Sequence, residues 1–413
     1  TLEHCKIQVA MPLSGLDLSK ENISDLIGQC NIDHTIPPTS MEGGSQAGYA
    51  RFKKFKTKSL SRYHKDRNHP LRDGVSRLSA YLHYGMISVF KIAREVALCN
   101  GDGPKKYLDE LLIWRELSYH WCHSVVSRGS KNLHSIQVLP SWAQNTLHEH
   151  CNDPHQIEKY EDLVNANTKD RFWNACQKSL IYHGELHNNI RMTWGKMLLL
   201  WTQNPQQCLR YLIDLNHRFA LDGRDPASYG GLYWCMGLFD RPFKPEQLVT
   251  GTVRQRLSDL HANRLSTEDL ERKVAPKERD VRIGIIGAGI SGLVCATTLK
   301  KYGVNVDVFD KGRGVGGRTS TRISREDETW IFDHGAPYFI VDDKRMLYWT
   351  KQWENTGVLC KWNAKVIKIK QTSTTEKDRE LWLAKPKMSS LAEHLASYLD
   401  PSNLYCNHKI DKM

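Results

Sequence analysis

Between residue 71 and about residue 248, apolar positions recur at i, i+3, i+4 and i+7, the spacing of one buried helix face. "YLDELLIWRELSYHWCHSVV" shows this spacing. "FWNACQKSLIYHGELHNNIRMTWGKMLLLWTQ" holds two more helical stretches, and "NPQQCLRYLIDLNHRFAL" begins another with Pro205 near its amino end. No alternating strand pattern interrupts them, so residues 71–248 predict an all-α bundle. The pattern changes after residue 280. "VRIGIIGAGISGLVCATTLKKYGVNVDVFDK" reads as strand, glycine turn, helix, strand, the start of an α/β Rossmann-type domain over residues 281–413. Residues 249–280 are charged, lack a deep apolar run, and read as a linker, part helical, ending near Pro276. Residues 1–70 hold a short amphipathic segment and a basic helix-like stretch, and read as a linker or the remnant of an amino-terminal region. The expected fold is multidomain: an all-α helical bundle followed by a Rossmann-type dinucleotide-binding domain.

Composition narrows the class. A chain of 413 residues can bury two or three domain cores. Lys and Arg exceed Asp and Glu by 58 to 46, a net charge of +12, which favours an anionic partner such as nucleic acid. The 11 cysteines form no C-x-x-C pair and no zinc-like spacing, so reduced thiols, an intracellular setting and no metal site are expected. No run of about 18 apolar residues is present, so no membrane span is expected. The chain begins at Thr1 and stops at "NHKIDKM" without a clear domain end, so it reads as part of something longer.

Chemistry is most explicit in the carboxy-terminal part. "GAGISG" places Gly287, Gly289 and Gly292 at G-x-G-x-x-G spacing, between an apolar strand and a helix. Such glycines allow a tight turn and let a pyrophosphate approach the backbone at the helix amino end. Asp310 closes the second strand, where a carboxylate can accept from ribose hydroxyls. "DKGRGVGGRTSTR" adds a second glycine-rich loop with Arg318, suited to a further phosphate contact. A bound dinucleotide, FAD or NAD(P), is expected. The segment resembles the FAD-binding start of the flavin amine oxidase group. "FDHGAPYF" and "KPKMSSLAEHLASYL" are similar to its renalase-like branch.

The helical part carries several short patterns. In "SRLSAYLHYGMIS", Ser76 and Ser79 precede a helix, where they can hold a phosphate or serve as ordinary caps. Tyr63 and Arg67 lie just upstream. "ELLIWRE" sets Glu110 and Trp114 at i, i+4 on one face. "ELHNNIRMTW" sets Asn188 and Arg191 at i, i+3, and "LNHRFALDGRDPASYGGLYW" gathers Asn216, Asp222 and Asp225. An arginine and an aspartate inside an apolar domain should pair, since an unpaired buried charge is costly; Arg191 with Asp222 is the natural pair.

Taken together, "SRLSAYLHYG", "ELLIWRE", "WNACQ", "LHNNIRMTW" and "LNHRFALDGRDP" resemble the FAD-binding helical domain of the photolyase and cryptochrome family, most closely class II DNA photolyases. The resemblance implies FAD as cofactor. It assigns Tyr63 and the turn Val75, Ser76, Arg77, Leu78 and Ser79 to the phosphates and ribityl chain. Asn188, Arg191, Asp222 and Asp225 would contact the flavin, with Arg191 and Asp222 paired against the ring and Asn216 near its N5. Glu110, Trp114 and Trp234 would line the cavity for a flipped pyrimidine dimer, Trp114 also contacting the flavin, and Arg67 would hold DNA phosphate. The sequence departs from the class II pattern at Asn188, at Val75, in the shorter stretch after Trp234, and at Phe243, where a second cavity tryptophan is usual.

Trp173, Trp194 and Trp201 match that family's electron-carrying tryptophans. Trp194 and Trp201 are seven residues apart, two helical turns or about 10 Å on one face. Rings at that spacing are otherwise core filling. The implied activity is light-driven reversal of pyrimidine dimers in damaged DNA, in the nucleus or an organelle such as the chloroplast. The alternatives are a photoreceptor without repair and an oxidoreductase carried by the carboxy-terminal half.

Overall fold

The helical stretches form where their caps and apolar faces agree. Asp170 accepts the Trp173 N–H at 2.8 Å and starts one helix, which Gly184 ends in the left-handed conformation at φ 64°. Asn204 caps the next but one, with Pro205 in its first turn, and Asp225 caps the one after that. The structure is a computed structural model. It describes residues 22–411, apart from residues 31, 34, 35, 37, 128, 130, 131, 277–280, 328, 364–366, 371, 372 and 377–379. The first half of the amphipathic segment near the amino terminus lies outside the described residues.

Two compact units result, one comprising Ile36–Ser320 with Ala392–Met413 and the other containing Thr321–Leu391. These units cut across the segments that composition suggested. In the larger unit, α1 (Ser45–Lys58) buries Phe52 and Phe55 in a core with Leu60, Tyr63, Leu78 and Tyr107. Into the same core pack α2 (Val89–Ala97) and α3 (Asp102–Asp109). A single π-helical turn, Glu110–Trp114, leads from α3 into α4 (Arg115–Ser127).

A larger core follows. The short α5 (Tyr160–Val164) leads to α6 (Arg171–His183), α7 (Asn188–Trp201), α8 (Pro205–Phe219) and α9 (Pro226–Trp234). Trp173, Leu180, Trp194, Leu198, Leu209, Leu212 and Leu215 fill it. Gly195 lets α7 approach its neighbours, because a Cβ there would meet the Cys235 Sγ at 2.5 Å.

The charged segment after residue 248 is not a loose connector. It holds α10 (Ser258–Ala262) and α11 (Thr267–Val274), and α11 presents Leu270 and Val274, one turn apart, to the same core, which Val253 and Leu265 also join. The polar majority faces outward, which concealed the narrow apolar stripe.

The dinucleotide motif forms a parallel sheet of order β1–β2–β10, from β1 (Arg282–Ile286), β2 (Asn305–Phe309) and β10 (Leu404–Tyr405). Between β1 and β2 runs α12 (Ile290–Lys301). The smaller unit holds antiparallel strands: β3 (Thr321–Ile323) with β4 (Ile331–Asp333), then β5 (Phe339–Ile340) and β6 (Leu359–Trp362) flanking β9 (Leu381–Ala384), and β7 (Ile367–Lys370) with β8 (Ser373–Glu376). Among the described residues no helix is long and apolar enough to cross a membrane.

Candidate functional site

Four side chains from three helices and one loop meet at Arg191. Its guanidinium donates to Asn216 Oδ1 at 2.8 Å and to Ser228 Oγ at 3.4 Å, and lies 3.6 Å from the Asp222 carboxylate. Asn216 is fully buried and donates onward to the Gly223 carbonyl at 2.8 Å and to Ser228 Oγ at 3.0 Å. The loop can fold this tightly because residue 223 is glycine; a Cβ would sit 2.4 Å from the Asn216 carbonyl oxygen. Asn188 opens α7 with an exposed side chain. Asp225 is engaged elsewhere: it caps α9 and accepts from Tyr119 at 2.9 Å, with His83 Nδ1 at 3.2 Å. Burial, then this bond to Asp225, pushes the Tyr119 hydroxyl up to about 12.

The 75–79 turn is held from two sides. Ser76 hydrogen-bonds the buried Tyr107, and Leu78 is buried beneath the turn. Val75 packs against the smaller core, and Ser79 is exposed at the start of a five-residue helix. Arg77 adopts φ 54°, sparsely populated for a residue with a side chain. Its Nε donates to Glu185 Oε2 at 2.7 Å, clipping the turn to the loop before α7. Burial raises the Glu185 carboxyl above its ordinary range, and Arg77 opposes that shift.

A second group forms around the π-helical turn. Glu110 accepts from Arg67 at 2.6 Å and lies 2.8 Å from Lys106 Nζ, so one carboxylate bridges two cations. Arg67 also lies 5.9 Å over the Tyr63 ring, which is wedged between Phe55 and Tyr107. Burial, with Glu110 next, raises the Tyr63 hydroxyl above its usual value. Trp114 stacks on Trp234 with centroids 4.9 Å apart and planes at 29°. The extra residue of a π turn redirects side chains, and such turns are frequent at functional sites. Phe243 lies between Arg241 and Arg254 at 5.8 and 5.3 Å.

The three tryptophans form one contiguous chain with Trp173 in the middle. It stacks on Trp194 at 6.2 Å and 10°, and meets Trp201 edge-on at 5.4 Å and 71°. Trp173 Nε1 donates to the Trp194 carbonyl at 2.9 Å, and Trp194 Nε1 to Gln177 at 2.9 Å. Their exposures are 0%, 0% and 5% for Trp173, Trp194 and Trp201. The rings are thus core and contiguous at once, and all three are buried.

In the dinucleotide motif the backbone does the positioning. Gly287 has φ 108°, and a Cβ on Gly292 would strike the Gly287 carbonyl oxygen at 1.9 Å, so helix and turn touch directly. Asp310 ties the strands' ends together, accepting from Ala288 N at 2.6 Å and Gly312 N at 2.7 Å. The second glycine loop folds over the first, with Gly316 N donating to Ala288 O at 2.8 Å and Gly316 bridged to Gly289. Arg318 projects exposed from this loop.

Residues 285–350 match the NAD(P)-binding Rossmann-like domain model. The chain is 34% identical over 246 residues to a deoxyribodipyrimidine photo-lyase from Methanothermobacter thermautotrophicus, covering 59% of this chain and 54% of that protein. It is 38% identical over 206 residues to the one from Oryza sativa subsp. japonica, covering 48% and 40%, and 31% identical over 254 residues to that of Potorous tridactylus, covering 60% and 46%. Over these stretches the chain is similar to deoxyribodipyrimidine photo-lyases. It spans about half the length of the curated relatives it matches.

Around these groups the sequence patterns missed several participants. Ser228 joins Arg191 to Asn216, Lys106 shares Glu110 with Arg67, Glu185 holds Arg77, and Tyr119 holds Asp225. Only Lys106 had a local signal, four residues before Glu110 on the same face. The others are brought in by packing of separate helices.

Proposed function

We propose that the helical part binds FAD and uses light to reverse cyclobutane pyrimidine dimers in DNA, in the manner of class II photolyases. The observation that carries this is the convergence of Arg191, Asn216, Asp222 and Ser228. A guanidinium 3.6 Å from a carboxylate presents a donor beside an acceptor. That set suits the edge of a flavin ring, which alternates N–H and carbonyl groups. When bound and reduced, FAD supplies an electron under blue light; the protein contributes position and electrostatics. Arg191 and Asp222 would hold the ring edge, with Asn216 fixing the guanidinium. Ser76 and the 75–79 turn would meet the phosphates. Trp114, Trp234 and Glu110 would receive the extruded dimer, apolar walls suiting its rings and the acid its polar edge. The net charge of +12 would supply phosphate attraction along the backbone.

We infer a second dinucleotide, FAD or NAD(P), at the Gly287–Gly292 turn, supported by the backbone geometry there and by the matching family model. An oxidoreductase role for this part is the natural extension.

The test uses purified full chain with ultraviolet-irradiated DNA. Dimers should disappear under blue light and persist in darkness, and Glu110→Ala should slow repair about tenfold or more. Equal loss in light and dark sinks the repair reading. Photoreduction of flavin without repair favours a photoreceptor. A count of flavins per chain shows whether one or both sites hold one.

A further inference from the structure

An electron vacancy on a buried tryptophan must either return or move on. Trp194, Trp173 and Trp201 are all in that position. The surroundings of Trp201 offer an exit. Its carbonyl accepts the Glu158 N–H at 3.1 Å, tying the segment before α5 to the end of α7. Two residues later Tyr160 opens α5 and packs against the core cluster that contains Trp201. The Tyr160 ring lies 4.5 Å from that of Tyr211 on α8. Its hydroxyl donates to the carboxylate of Asp214, and the Arg218 side chain reaches the same hydroxyl. Asp214 is exposed, so a proton placed there has a path to water.

We propose that Tyr160 is the terminal electron donor of the tryptophan chain, passing its proton to Asp214 as it is oxidised. One electron moves from Tyr160 to the Trp201 radical cation, restoring the closed-shell indole. The Tyr160 O–H bond breaks, a new O–H bond forms on the Asp214 carboxylate, and a neutral tyrosyl radical remains. Asp214 then releases the proton to solvent. The carboxylate is decisive, because a phenol yields an electron readily only if its proton can leave. Until then burial, with Asp214 next, raises the hydroxyl's pKa and keeps it protonated. The proposal rests on the flavin reading above, which supplies the oxidant for Trp194.

The experiment is transient absorption on the flavin-loaded full chain after a blue flash. In the parent, the tryptophan radical should give way to the neutral tyrosyl band. Tyr160→Phe, which keeps the ring, should abolish that band and lengthen the tryptophan radical's life about tenfold or more. Asp214→Asn should slow the transfer and alter its solvent deuterium isotope effect, with unchanged melting as the control for folding. Identical decay in parent and Tyr160→Phe, or a tyrosyl radical that survives the substitution, overturns the proposal alone. A parent that forms no tryptophan radical overturns both the relay and this exit.

Discussion

The helical part and the dinucleotide motif position a candidate ligand by opposite means. Around Arg191 the work falls to side chains, each aimed by a helix that is itself set by the core: Asn216 and Trp194 are fully buried, and Ser228 nearly so. In the glycine turn it falls to backbone, with Gly287, Gly289, Gly292 and Gly316 offering N–H and carbonyl groups rather than side chains. Here the core is thin. Leu293, Ala296 and Val308 are buried, yet β1 alternates between exposed and half-buried and Ile286 is 53% exposed. A side-chain site therefore depends on distant packing, whereas a backbone turn depends on a few local atoms.

That contrast can be broken by a cavity in the larger core. Trp173→Ala removes the ring that touches both other tryptophans and should cost about 3–5 kcal/mol in chemical denaturation. Binding of ADP, the moiety shared by FAD and NAD(P), should persist at the glycine turn. If ADP binding falls together with the helical transition, the two parts fold as one and the contrast is void.

Acid sharpens the comparison next. Burial, joined by nearby cations, holds His187, His217 and His261 down to about 4. The folded helices keep these rings neutral, while the unfolded chain protonates them near pH 6.5. Their contribution is therefore complete above about pH 6.5 and lost as pH falls towards 4, roughly 1–3 kcal/mol for each ring. Melting temperature measured from pH 7 to pH 4 should fall, and His187→Gln should flatten the profile. A flat profile in the parent would show that these rings are protonated in the folded state.

The smallest effect is local. Gly292→Ala forces a Cβ against the Gly287 carbonyl and should weaken ADP binding about tenfold or more, read by calorimetry. Melting of the helical part should not change. Unaltered ADP affinity would remove the turn from the proposed binding site.

Much of the scaffold was legible because it is local. Asp170, Asn204 and Asp225 cap their helices within three residues, and the glycine spacing encodes its own turn. The Arg191–Asp222 pairing was legible for a different reason: two charges in an apolar stretch constrain each other. The segment after residue 248 was misread because its abundant charges occupy the outer face of α11, while Leu270 and Val274 occupy the inner one.

The tryptophans mark the boundary between these cases. Spacing along the chain puts Trp194 and Trp201 on one helix, two turns apart, and nothing nearer the backbone is needed to say so. That both rings touch Trp173, that Trp173 stands between them, and that all three are buried follow only from how α6 packs on α7. Likewise, a phenol at position 160 becomes a candidate electron donor only because α8 brings Asp214 to its hydroxyl. Periodicity and capping are short-range and survive in the linear pattern. Contacts between rings, acids and bases on different helices depend on side-chain volumes summed over a whole core, which no single stretch encodes.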